Sequence, residues 1–192
     1  MATVDVLIKG YETKTAEGKD CYSSTTTLIK SDGKSIVVDP GQADPAILII
    51  ALEKHGLKPE DIDYVFLTHS HLDHSKNTAI FPNAKVVDAW GIRNHDIEDS
   101  HGGDGYELLP QVKIITTPGH SHDHASLLVE TDQGRVLVGG DLYWHSDFTP
   151  AEDPYAWDQK ELEKSRRKAL AMADFLIPGH DDITKIPDEQ KN

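Results

Sequence analysis

The chain has little cysteine, few basic side chains and no long apolar run, and each shortage removes a class of protein. Its one cysteine, Cys21, cannot close an internal disulfide, and no neighbouring residue marks it as a nucleophile. It reads as a strand residue. No apolar stretch approaches the roughly 20 residues that a membrane-spanning helix needs, so no membrane partner is expected. The first residues, Met1-Ala2-Thr3-Val4-Asp5, have neither the basic start nor the apolar stretch of a secretory signal. A cytoplasmic location is therefore expected. Lysine and arginine together number 19 against 33 acidic side chains, a net charge of −14. A surface of that sign repels polyanions, which disfavours nucleic acid without excluding a local basic patch. A small molecule is the expected substrate. The oligomeric state is open, a homodimer included.

At 192 residues, 38% of them hydrophobic, the chain suits one domain over residues 1–192. What it has in abundance is histidine, 11 residues spread from His55 to His180, so no affinity tag accounts for them. Imidazole is a common metal ligand, and the arrangement of these rings is the question.

Local patterns predict the elements. Strands are expected over residues 4–8, 24–30 and 35–39, with Ser31-Asp32-Gly33 turning between the last two. Asp44 and Pro45 open a helix over residues 45–55, which Gly56 stops. Short strands follow at 63–67, 84–87, 112–117, 126–130 and 135–138, the last two joined by Thr131-Asp132-Gln133-Gly134. A second helix is expected over 158–172, with Asp158 as cap, Glu161 close to a capping box, and Leu162, Ala169, Leu170 and Ala173 on its buried side. A last strand covers 174–177. This order predicts a mixed α/β (α+β) fold of two sheets covered by helices.

Four apolar segments share one pattern, in which His or Asp appears just after the strand ends. They run into His69, His120, Asp141 and His180. Strand ends on one rim aim several loops at one point. In His69-Ser70-His71-Leu72-Asp73-His74, the first two imidazoles can clamp one cation, while Asp73 and His74 face a second.

These motifs resemble those of the metallo-β-lactamase superfamily. Thr68 to His74 matches its signature loop, Thr117-Pro118-Gly119-His120 its second motif, Gly139-Gly140-Asp141 its third and Pro178-Gly179-His180 its last, while Val38-Asp39-Pro40-Gly41 is similar to its early strand-end turn. The resemblance implies a four-layer αββα sandwich. It implies two zinc ions per chain, with iron or manganese as alternatives: His69, His71 and His120 on the first, Asp73, His74 and His180 on the second, and Asp141 bridging. It also implies a hydrolase in which two cations share a water, lower its pKa and supply a bridging hydroxide to an ester, thioester or lactone carbonyl. The bridging Asp141 is absent from antibiotic-cleaving members and points away from that activity. The run His120-Ser121-His122-Asp123-His124 is similar to the lactonase branch. Phe81-Pro82-Asn83-Ala84 and the stretch from Lys164 to His180 look like the short metallo-β-lactamase domain-containing protein 1 group, which is linked to RNA cleavage. Phosphodiester cleavage is thus the alternative activity, and an iron-binding redox module is a third.

Other residues carry two readings each. Asp73 and Tyr143 are candidates for direct catalytic contact, although packing at the pocket wall accounts for Tyr143 as well. His122 and His124 flank a ligand and are candidates for supporting hydrogen bonds. His145 is placed much like Tyr143. His95 and His101 lie in a polar stretch that reads as a surface loop. The basic run Lys164 to Lys168 is a solvated helix face or the one plausible anchor for a phosphate backbone.

Overall fold

The computed structural model describes residues 1–191. Its first part contains β1 (Thr3–Ile8), β2 (Tyr11–Lys14), β3 (Asp20–Ser23), β4 (Thr26–Ser31), β5 (Lys34–Val38), α1 (Pro45–Lys54), β6 (Tyr64–Phe66), α2 (Leu72–Ser75), β7 (Lys85–Val87), β8 (Gly91–Asn94) and β9 (Ile97–Ser100). Then follow β10 (Glu107–Leu109), β11 (Val112–Thr116), β12 (Ala125–Thr131), β13 (Gly134–Gly140), α3 (Gln159–Leu170), β14 (Phe175–Pro178) and β15 (Thr184–Lys185). One sheet has the order β1-β4-β5-β6-β7-β8-β9 and the other β10-β11-β12-β13-β14-β15; β2 and β3 pair separately. Among the described residues no helix is long and apolar enough to cross a membrane.

Successive strand residues point to opposite faces, and here both faces are buried. Ile36 and Val38 of β5 and Phe66 of β6 enter the layer between the sheets, where they meet Leu127 and Val129 of β12 and Val136 and Val138 of β13. The intervening Val37 and Val65 point outward against Leu48 and Leu52 of α1. On the other sheet, Leu128, Leu137 and Leu176 point outward against Leu162, Ala169 and Leu170 of α3. The result is helix, sheet, sheet, helix, as the sequence pattern and the resemblance imply. Each fully buried large apolar side chain stabilises this stack by about 1.5–3 kcal/mol.

The caps follow the sequence. The Asp44 carboxylate accepts the Ala46 N–H, and Asp158 accepts those of Lys160 and Glu161. Glu161 turns outward to Lys164 at 2.8 Å. The basic run on α3 divides: Lys164, Arg167 and Lys168 are exposed, and one of its cations turns inward. Arg166 is buried and donates to the carbonyls of Leu142, Ala151 and Pro150. Lys168 pairs with Asp104 at 2.6 Å. Arg166 and Lys168 are thus engaged by tertiary acceptors, while Lys164 and Arg167 stay on the solvated face of the helix.

Two hairpins go beyond the sequence reading, although Cys21 does fall in a strand, as expected. β2 pairs with β3, and β8 with β9, where a polar surface loop was expected. Both are largely exposed, so no face needs apolar residues and no alternation betrays them; backbone pairing alone defines them. The histidine run is also not a plain loop, because residues 72–75 make a helical turn that starts at His71.

Candidate metal centre

Parallel pairing lines up the carboxyl ends of neighbouring strands. β5 and β6 run parallel with Val38 opposite Phe66, which sets Asp39 beside Thr68 and His69. β13 and β14 run parallel with Gly140 opposite Pro178, which sets Asp141 beside His180. Hydrogen bonds then join the two sheets at this edge: Ala125 N–H donates to Thr68 O at 2.8 Å, and Thr25 N–H to Gly179 O at 2.6 Å. Two glycines make the approach feasible. Gly140 has φ +52 and would press a Cβ into Thr68, and a Cβ on Gly179 would collide with the Asp141 carboxylate. The first needs a left-handed backbone; the second needs only space.

The chosen side chains converge in overlapping groups, two of them joined by a third made of His69, His74 and Asp141. His69, His71 and His120 offer ligand atoms within 4.8 Å of one another, as do Asp73, His74 and His180. In the first set, His71 Nδ1 lies 2.9 Å from His69 Nε2 and 3.0 Å from His120 Nε2. Zinc–nitrogen bonds of about 2.0–2.1 Å in a tetrahedron separate such nitrogens by about 3.3 Å, so these rings stand where one cation would hold them. Asp141 lies between the sets. Its Oδ2 is 3.4 Å from His120 Nε2, and its Oδ1 is 3.2 Å from His74 Nε2 and 3.5 Å from His180 Nε2. His74 Nε2 and Asp141 Oδ1 are buried without a hydrogen-bond partner. Buried polar atoms are ordinarily paired, and a cation between these two would satisfy both.

The outer ring nitrogens are held as well. His69 Nδ1 meets Thr68 Oγ at 3.0 Å, His74 Nδ1 meets Asp39 at 2.8 Å, His180 Nδ1 meets the Ser23 carbonyl at 3.1 Å, and His120 Nδ1 meets Asp153 at 2.6 Å. Each leaves an Nε2 for the centre. These contacts span 35 residues for Asp39–His74 and 157 for Ser23–His180. Nothing in the sequence around Ser23 or Asp153 marks them; the family-like turn at Asp39 is the one trace of this outer layer.

The electrostatics favour a cation. Burial drives the His69 imidazole well below its usual pKa, and nearby His74 adds to that effect. His71 is lowered in the same way, by burial and then by His120. Burial opposes charge on His74 too, yet the carboxylates of Asp141 and Asp39 outweigh it and raise that ring. Asp141 is held well below the carboxylate range by His74 and His180 against its own burial. A buried carboxylate ringed by imidazoles is a site built for positive charge.

The remaining candidates fall in different places. His124 is buried with its ring 5.2 Å from that of His69 and bonds Thr117 Oγ; burial lowers its pKa to about 3, so the ring is neutral. His122 is exposed, between the rings of Trp90 and Trp157 at 6.3 and 6.4 Å. Of the two readings of Tyr143, the geometry favours packing. Its ring lies in the core beneath α3, with the Arg166 guanidinium 4.1 Å over it and Phe148 at its edge. That position serves packing. His145 approaches Glu12 at 3.6 Å. His95 sits in the turn of the β8–β9 hairpin, and His101 bonds the Asp88 carbonyl.

Residues 20–180 match the profile of the metallo-beta-lactamase superfamily. The chain is 32% identical over 187 residues to metallo-beta-lactamase domain-containing protein 1 of Xenopus laevis, covering 93% of this chain and 79% of that protein. It is 31% identical over 163 residues to an N-acyl homoserine lactonase of Bacillus cereus, covering 74% of this chain and 65% of that one. A probable metal-dependent hydrolase from Staphylococcus aureus superimposes with a TM-score of 0.75 at 16% identity, covering 100% of this chain and 94% of that one; at that identity the likeness concerns the fold. Profile, relatives and fold agree, and the chain belongs to the metallo-beta-lactamase superfamily of metal-dependent hydrolases.

Proposed function

We propose that this protein binds two zinc ions and hydrolyses an ester, thioester or lactone carbonyl in a small molecule. The observation that carries the proposal is Asp141, whose two carboxylate oxygens face different sets of candidate ligands. His69, His71 and His120 would hold one zinc, Asp73, His74 and His180 the other, with Asp141 touching both. Zinc so held supplies a Lewis acid and a water of lowered pKa. The chain's own residues set the geometry. Asp39 and the Ser23 carbonyl keep His74 and His180 turned inward, and burial keeps His69 and His71 uncharged and ready to bind.

Exposed apolar side chains near the ligand-bearing loops support a neutral organic substrate. Leu72 is 64% exposed beside the ligands, and Trp90 and Trp157 are 55% and 64% exposed on either side of His122. Such surfaces also stack nucleic-acid bases, but a strand of RNA needs cations for its phosphates. Of the basic run, Arg166 is buried and Lys164 and Lys168 are paired with acids, which leaves Arg167. The net charge of −14 opposes the rest. The similarity to a lactonase supports the carbonyl reading.

A hydrolysis panel on zinc-loaded protein tests it, with a lactone, a glutathione thioester, a phosphodiester and single-stranded RNA. Turnover of a carbonyl substrate without cleavage of RNA is expected. RNA cleavage with no carbonyl turnover would reverse the reading.

A further inference from the structure

Asp153 stands out among the buried charges. Its side chain is fully buried, in the segment between β13 and α3 that carries no strand or helix. Oδ2 lies 2.6 Å from His120 Nδ1, while Oδ1 accepts the Tyr155 N–H at 2.9 Å. A carboxylate in that place accepts, so the His120 proton sits on Nδ1 and the lone pair of Nε2 points to His71 and Asp141.

The segment is lashed to α3. Arg166 donates from Nε to Leu142 O at 2.6 Å, from Nη1 to Ala151 O at 2.6 Å and from Nη2 to Pro150 O at 2.9 Å. Gln159 Oε1 accepts the Asp153 N–H at 3.0 Å. Downstream, Trp157 N–H donates to the His120 carbonyl at 2.9 Å. The helix therefore holds the Asp153 backbone directly through Gln159 and the residues just before it through Arg166, while Trp157, in the segment itself, holds the backbone of His120.

We propose that Asp153 is a positioning residue of the metal centre: its carboxylate fixes the tautomer and direction of His120, and α3, through Arg166 and Gln159, fixes Asp153. This rests on reading His120 as a ligand. It also gives the buried arginine of the basic run a role that phosphate binding does not. Partners one layer beyond a ligand commonly govern metal affinity by 10- to 100-fold.

Asp153→Asn separates this role from turn-making. Its amide oxygen can still accept the Tyr155 N–H, but its NH2 then faces His120 Nδ1 and drives the ring proton to Nε2. In metal-free protein with nitrogen-labelled histidine, magnetic resonance should show His120 protonated on Nδ1 in the wild type and on Nε2 in the variant. Zinc affinity of the His69–His71–His120 set should fall about 10- to 100-fold, and that of the other set should hold. A wild-type tautomer, or unchanged zinc affinity, overturns the proposal. Arg166→Lys should shift the same signals less, and the double variant should be no worse than Asp153→Asn; additive losses would separate α3 from Asp153. If Asp153→Asn does not fold, Arg166→Lys decides alone, and a wild-type tautomer in it counts against the proposal. Were the wild type to bind no zinc, the functional reading would fall, while the tautomer would still judge Asp153.

Discussion

Replacing Asp39 by asparagine tests the outer layer of the centre where the structure gives most detail. The carboxylate is buried and takes three hydrogen bonds: Oδ1 from Thr68 N–H at 2.9 Å, and Oδ2 from Thr68 Oγ at 2.7 Å and from His74 Nδ1 at 2.8 Å. Its backbone has φ +47, which asparagine tolerates and alanine does not, so the amide is the cleaner change. The amide oxygen can keep Thr68 N–H, and the NH2 then meets Thr68 Oγ and His74 Nδ1. Two charge-assisted bonds are lost, at about 1.5–3 kcal/mol each, partly offset by the new contacts. A net loss of about 3 kcal/mol is expected, a Tm lower by roughly 6–12 °C in a chain of this length. The NH2 also forces the His74 proton onto Nε2, the atom that faces Asp141. Zinc binding at the Asp73–His74–His180 set should weaken about 10- to 100-fold. Thermal melts of metal-free protein read the first effect, and zinc titration against a competing chelator reads the second. A Tm within about 2 °C of wild type, together with unchanged zinc affinity, would refute the reasoning.

Four further changes follow from the same geometry. Asp141→Asn should lose the second zinc and activity together, because only an ionised carboxylate offers charge to both sets; full zinc content by elemental analysis would contradict the bridge, and iron in place of zinc would favour the redox alternative. Gly179→Ala should push the Asp141 carboxylate out of place, and a displacement of about 1 Å costs on the order of 100-fold in turnover; wild-type kcat would show that the loop yields. Tyr143→Phe should leave turnover unchanged, since the ring packs under Arg166, and a large fall in kcat would restore it as a catalytic group. Partial burial alone would raise the Asp63 pKa, but Lys34 at 2.7 Å and the Ser35 N–H outweigh it and lower it. A carboxylate depressed in the folded state stabilises above its unfolded pKa of about 4 and stops doing so as pH falls through the folded value. The Tm gap between wild type and Lys34→Met should therefore be constant near neutral pH and close in acid; a gap that widens in acid would contradict the sign.

The residues around the centre show what a sequence carries. The apolar runs Ile36-Val37-Val38 and Val136-Leu137-Val138 announce strands, and the structure shows both faces buried, as the two-residue pleat then requires. His69 to His74 announce metal chemistry because the ligands are neighbours, and spacing alone puts them within reach of one another. His120, Asp141 and His180 were legible through a repeated local event, a strand that ends on a ligand type. The edge hairpin of β8 and β9 was not, since exposed strands need no apolar face. Neither were Asp153 on His120 nor the Ser23 carbonyl on His180, which lie 33 and 157 residues from their partners. Arg166 read as part of a surface run and Tyr143 as either site or packing, and their contact in the core depends on α3 lying over β13. The sequence by itself determined which side chains are the candidate ligands and which strands hold them. Only the tertiary structure decided which ring faces which carboxylate, because that pairing depends on two sheets meeting at one edge, a contact no local period encodes.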